Sequence, residues 1–184
     1  MKRGTIIALV ILVVLVGIFL ATRETPQTSV AAPYTVKKVD NLDRIEVTRP
    51  GADDALVVFQ KKEDGWALTK PVEAPVSDAV AKSLDEVFAK KIATDDLKVS
   101  KDKLDEYELS DEKAAAVSLY AAGSSEPAAT FAVGKEITVE NTNAKRSFIK
   151  TDAGKPYRAR VSLELLHIAV KDLRSKQITK GDRN

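Results

Sequence analysis

The sequence has no cysteine, one histidine, one methionine and one tryptophan, and aromatic residues make up only 5% of its 184 residues. Without thiols there is no lipid-modified cysteine, no disulfide framework and no thiolate metal site. His167 stands alone, so a histidine-based metal centre lacks its ligands, and no D-x-D-x-D-G loop offers calcium an alternative. A hydrolase triad lacks its G-x-S-x-G elbow. Val133-Gly134-Lys135-Glu136 lacks the earlier glycine of a phosphate-binding loop, and Glu136 stands where the magnesium-binding Ser or Thr belongs. The sequence therefore implies no cofactor and no catalytic residue. A lone histidine beside the apolar Leu163 and Leu166 reads as a half-buried, satisfied side chain, and the carboxylate pairs Asp53-Asp54 and Asp95-Asp96 read as loop solvation.

Charge is also lacking where it would matter for a nucleic-acid partner. Lys and Arg total 29 and Asp and Glu 27, but Lys2 and Arg3 precede every acidic residue, so the rest of the chain is formally neutral. Lys61-Lys62, Lys90-Lys91 and Lys145-Arg146 are isolated doublets without interleaved aromatics, which gives no case for nucleic acid.

One long stretch lacks charge altogether. Thr5 to Ala21 (TIIALVILVVLVGIFLA) follows Met1-Lys2-Arg3 and has no polar face. As a helix it would be about 25 Å long, at the low end for crossing a hydrocarbon core of about 30 Å. It is longer than the usual core of a cleaved signal, and Thr22-Arg23-Glu24-Thr25-Pro26 is a poor cleavage context, which favours an uncleaved anchor over the cleaved alternative. Basic residues before the span place residues 1–4 in the cytoplasm and everything from Thr22 on the far side. Residues 22–40, with two prolines and no periodicity, read as a flexible tether, and 41–184 as one extracytoplasmic domain.

Within that domain the hydrophobic periods alternate between two and 3.6 residues. Arg44–Thr48 and Ala55–Phe59 form a hairpin around Pro50-Gly51-Ala52-Asp53-Asp54, and Trp66–Thr69 follows a turn at Lys62–Gly65. Val76, Val80, Leu84, Val87, Phe88 and Ile92 make one stripe of a helix over 78–91, capped by Ser77 or Asp78. A short strand at Leu97–Val99 and a helical turn over 101–107 come next. Strands at Ala116–Tyr120, Ala129–Val133, Arg146–Lys150 and Tyr157–Val161 follow, the last two as a hairpin. Gly134 is expected in a tight turn. A second amphipathic helix from Ser162 buries Leu163, Leu166, Val170 and Leu173. The expected fold class is α+β: a mainly antiparallel meander of about seven strands packed by two amphipathic helices, behind one transmembrane helix.

The succession Trp66, Pro71, Asp78 opening a helix, Tyr107-Glu108-Leu109, Val133-Gly134 and Asp172-Leu173-Arg174-Ser175-Lys176 resembles the DUF4340 family over roughly residues 43–178. Glu108 replaces the usual glycine of that pattern, so a turn without positive φ is expected there. The resemblance implies an extracytoplasmic accessory role behind a single span, frequently alongside gliding-type ABC transport systems, and no known reaction. The combined expectation is a non-enzymatic, single-pass protein of a bacterial cytoplasmic (inner) membrane, with an ABC permease as partner. The alternatives are an envelope scaffold or ligand-binding module unrelated to transport, and a carboxylate-based enzyme. Trp66, Arg174 and Lys176 are the candidate partner-binding residues, each with a structural reading beside the functional one: core cap for Trp66, helix-dipole cation for Arg174 and Lys176.

Overall fold

The computed structural model describes residues 34–95 and 100–175. The expected span at 5–21, the strand at 97–99 and Lys176 lie outside these residues. Among the described residues no helix is long and apolar enough to cross a membrane.

Alternation decides which side of each strand meets the core. In β2 (Leu42–Thr48) Ile45 and Val47 are fully buried, while Arg44 and Glu46 face the opposite side of the sheet. The strand pairs with β3 (Leu56–Lys62) on one side and β7 (Ala115–Ala121) on the other, both antiparallel. From β3 the chain meanders through β4 (Gly65–Lys70) to β5 (Ala74–Pro75). From β7 it meanders through β8 (Ala129–Thr138) and β9 (Lys145–Thr151) to β10 (Pro156–Arg158). The sheet order is β10-β9-β8-β7-β2-β3-β4-β5, all antiparallel. Two four-strand meanders thus meet through their first strands. The architecture is α+β with a mainly antiparallel sheet, as the periodicity implies, and with eight strands in the main sheet instead of seven.

A two-stranded ribbon, β1 (Thr35–Val36) with β6 (Ile92–Ala93), continues the sheet past β10 through a bridge between Thr94 and Ala159. The folded domain therefore begins before Asn41, inside the stretch read as tether. Buried Thr94 is satisfied within this join, its hydroxyl donating to the Tyr34 carbonyl at 2.8 Å.

Helix α1 (Asp78–Phe88) crosses the buried face from the β5 edge to β6, and the Ser77 hydroxyl caps it by accepting from Val80 N. Val80, Leu84 and Phe88 are its buried stripe, worth about 2 kcal/mol each as an upper figure. Val76 and Ile92, at the ends of the predicted stripe, are buried outside the helix. The helix stops three residues before Lys91.

The second predicted helix is two short pieces, a 3-10 turn at Glu164–Leu166 and α2 (Val170–Leu173). Leu163, Leu166, Val170 and Leu173 are all buried, so the apolar pattern holds while the helix does not. In an unbroken helix the Ile168 carbonyl would accept from Asp172 N. Here Arg49 Nη1 donates to that carbonyl at 2.7 Å, and Asp172 N turns to Ala169 O at 2.9 Å. Arg49 sits just beyond β2 and is only 7% exposed, so the break is fixed by a distant residue. Burial pushes its guanidinium below its ordinary pKa, against the pull of Asp54.

The segment from Lys101 to Ala114 folds over the outer face of β8 and β9. It contains a 3-10 helix at Lys101–Lys103 in place of a longer turn of helix. Leu109 and Phe148 form a second small core with Tyr107, Leu104 and Ile137, and Tyr107 stacks on Phe148 at 4.3 Å between ring centroids. Gly134 lies within β8 beneath this segment, not in a turn. Glu108 adopts φ +55°, so it takes the left-handed conformation that the glycine of the DUF4340 pattern would adopt freely. A left-handed non-glycine costs roughly 1–2 kcal/mol and glycine costs about 0.5–1 in chain entropy. Glu108→Gly is therefore expected to stabilise the domain by about 0.5–1 kcal/mol, raising the melting temperature by about 2 °C. A melt at or below the wild-type temperature would refute the strain.

Candidate functional site

The turn at Lys62–Gly65 brings Lys61 and Trp66 opposite one another on β3 and β4. Trp66 is 5% exposed and belongs to the main core, which places it as the core cap of the structural reading. Its Nε1–H nevertheless reaches the rim, donating to Asp85 Oδ1 on α1 at 3.0 Å. Lys61 Nζ donates to the same oxygen at 3.1 Å and stands 5.4 Å from the Trp66 ring centroid. Partial burial would raise the Asp85 pKa, but the hydrogen bonds from Trp66 and Lys61 outweigh it and hold the carboxyl below its ordinary value. Asp85 stays ionised at neutral pH.

These three residues border an open cleft of about 440 Å³ between α1 and the connection from β1 to β2. Trp66, Leu84 and Phe88 give it an apolar wall, while Lys38, Asp43 and Lys61 lie on its polar side. Asp43 accepts from Gln60 at 2.5 Å, and Lys38 pairs with Asp40 at 3.3 Å. The volume is in the range of ligand-binding clefts. Its charges are mixed and largely paired, which suits an uncharged or amphipathic segment better than a strongly charged ligand.

The other sequence candidates do not join this cleft. Arg174 follows α2 with extended backbone and an exposed side chain, and it forms no ion pair with the described residues. Its segment runs beside β5: Ser77 N donates to Leu173 O at 2.9 Å, and Ser175 N to Pro75 O at 3.0 Å. Trp66 and Arg174 are thus linked through the backbone of Val76, which donates to Trp66 O and bridges Arg174, although the indole is in the core and Arg174 is exposed. Lys176 lies outside the described residues.

His167 keeps a solvent-accessible side chain and stands near Arg49. Desolvation by the surrounding protein, reinforced by the Arg49 cation, pushes its pKa below the ordinary imidazole value despite Glu108, Glu164 and the Gly134 backbone. Among the described residues no group of three or more metal-ligating side chains occurs. Tyr157 stacks on Tyr34 at 5.0 Å between centroids, where the β1–β6 ribbon joins the β10 end of the sheet. Asp95 departs from the loop-solvation reading: its side chain is 12% exposed and accepts from three arginines.

Lys61 and Asp85 are cleft residues that sequence reasoning passed over: Lys61 drew notice only as part of an isolated basic doublet, and Asp85 drew none as a site residue. The signal for Lys61 was its position opposite Trp66 across a short turn. Asp85 had only its place next to Leu84, which puts it at the margin of the apolar stripe. Comparison of the chain with protein-family models, with curated proteins and with solved structures returns no match.

Proposed function

We infer that the chain is a non-enzymatic, membrane-anchored accessory or binding protein whose domain works outside the cytoplasmic membrane, as an auxiliary component of an ABC-type transporter or related envelope assembly. The observation that carries this reading is the seventeen-residue uncharged run behind Met1-Lys2-Arg3. The resemblance to the DUF4340 family supplies the association with ABC transport. Only residues 22–33 separate the run from the first described residue, Tyr34. Even fully extended they reach about 40 Å, which keeps the domain near the bilayer. Sharing a membrane with its partners raises their effective concentration and reduces the affinity that the cleft must supply.

The cleft beside Trp66 favours a second reading, a ligand-binding envelope module unrelated to transport. Crosslinking the full chain in its native membrane, followed by mild detergent extraction and mass spectrometry, separates the two. Recovery of a permease together with its ATPase is the expected result. Their consistent absence, with the chain itself recovered in good yield, leaves the ligand-binding module as the better account.

A further inference from the structure

The outer face at the β9, β10 and β6 end of the sheet carries an excess of positive charge. Ala159 and Thr94 are buried there, so strand alternation turns Arg158, Arg160 and Asp95 to the opposite face, and Arg146 lies on that face of β9. Asp95 Oδ2 accepts from Arg146 Nη1 and, at 2.6 Å, from Arg158 Nε, while Oδ1 accepts from Arg160 Nε at 3.1 Å. Among the described residues, three guanidiniums on one carboxylate leave two positive charges without an anion inside the cluster. Each guanidinium has five N–H donors and gives one of them to Asp95. Arg146 Nε is buried without a hydrogen-bond partner among the described residues. Arg160 is the open side, its side chain 56% exposed.

Among the described residues the neighbouring charges do not neutralise this excess. Lys145 bridges Glu136 at 2.8 Å and Glu164 at 3.0 Å, and Ser162 donates to Glu136, so those two carboxylates are already engaged. The cluster also lies near β1, the first strand of the described residues. Arg160 N donates to Ala93 O, and Ala93 pairs with Thr35 in β1. Arg160 is thus two strand spacings, about 10 Å, from the strand leading back toward Thr5–Ala21.

We propose that Arg146, Arg158 and Arg160 bind a phosphate group, and that an anionic phospholipid headgroup bears it. Guanidinium forks match phosphate oxygens in geometry and charge. Asp95 holds the three forks together without cancelling their charge, and Arg160 presents the exposed N–H groups. The choice of a lipid as bearer rests on the membrane-anchored reading above; the phosphate site itself does not.

The test uses the full chain in bilayer discs of neutral phosphatidylcholine or of phosphatidylcholine with phosphatidylglycerol, reading the arginine Nε–Hε resonances by NMR. Phosphatidylglycerol should shift the Arg160 and Arg158 signals. Inorganic phosphate, titrated into the neutral discs, should shift the same signals, and Arg160→Gln should weaken its binding about tenfold, the loss of one charge-assisted hydrogen bond. Lys145→Gln, on the adjacent but internally paired cation, should leave phosphate binding unchanged. A response to inorganic phosphate but not to phosphatidylglycerol overturns the lipid assignment. No movement in either arm overturns the site. If the chain fails to insert into bilayers, the anchor reading falls by itself, and the phosphate titration in solution still decides the cluster.

Discussion

Gly134→Ala is expected to destabilise the domain by about 3 kcal/mol and to lower its melting temperature by about 10 °C. Gly134 lies under the Tyr107–Leu109 segment, and Lys135 N donates to Tyr107 O at 3.0 Å, which holds the two backbones together. A Cβ added there would overlap the Tyr107 carbonyl oxygen and would sit 2.9 Å from Leu109 Cδ2 and 3.0 Å from the Glu108 carbonyl oxygen. Backbone cannot rotate aside as a flexible side chain can. Relief requires lifting the whole segment, which opens the second core where Leu109 is fully buried and Phe148 is 4% exposed. Gly123→Ala separates this cause from ordinary glycine strain. Gly123 has φ +74° with nothing within 4 Å of an added Cβ, so its cost is conformational, about 1 kcal/mol. Thermal melts of the two variants in the full chain should differ by several degrees, with Gly134→Ala the lower. Equal melting temperatures would mean that the segment yields easily and that the packing does not constrain Gly134.

The same glycine marks where sequence reasoning stops. A glycine after an apolar run signals a turn by composition, and nothing local to Ala129–Thr138 reveals that a segment from more than twenty residues earlier lies across it. Arg49 is a second instance. The pattern Leu163, Leu166, Val170, Leu173 correctly gives the buried positions, because burial depends on side-chain type. Whether the backbone between them is one helix depends on which donor takes the Ile168 carbonyl, and that donor is more than a hundred residues away. Local period fixes strands and the longer helix well, since Ile45, Val47, Leu84 and Phe88 need only their neighbours' spacing to declare a face. The paired ribbon of β1 and β6 was not legible, because two-residue strands carry no period at all.

The candidate site divides along the same line. Trp66 was legible as a large amphipathic side chain opening a strand, and the structure gives it both halves of that description: a ring in the core and an N–H on Asp85. Arg174 drew notice as a cation closing a helix, but α2 is a single turn, and no carboxylate among the described residues pairs with it. The two arrangements that hold most of the chemistry, Lys61 with Asp85 and the arginines with Asp95, are formed by cross-strand and helix–strand contacts. Their residues are common types at unremarkable positions, so only the register of the sheet brings them together.

Asp95→Ala should produce the other large loss, about 2–3 kcal/mol at neutral pH, because it leaves two partly buried guanidiniums without their anion. Removing one member of a fully buried pair costs about 3–5 kcal/mol. The lower figure applies because Arg160 is more than half exposed and solvent screens its share. Asp95→Asn keeps an acceptor oxygen but not the charge, and should fall between Ala and wild type. The acid limb gives an independent check. Burial works to raise the Asp95 pKa, yet the hydrogen bonds and charges of Arg146 and Arg158 prevail and hold it below the ordinary carboxylate value. Below that ordinary value, about 3.9, the unfolded chain binds a proton that the folded chain still refuses, so stability rises with pH across the window. The contribution of Asp95 is complete above about pH 5 and is lost as pH falls through the folded-state pKa. Glu73, Asp85, Asp105, Asp111 and Glu136 are also held low by their partners and steepen the same limb. The diagnostic quantity is therefore the difference between wild type and Asp95→Asn in melts from pH 7 to pH 3. That difference should shrink on acidification as wild type loses what the variant never had. A gap that is constant with pH would assign the loss to packing, and no gap at pH 7 would remove Asp95 as the organiser of the arginine cluster.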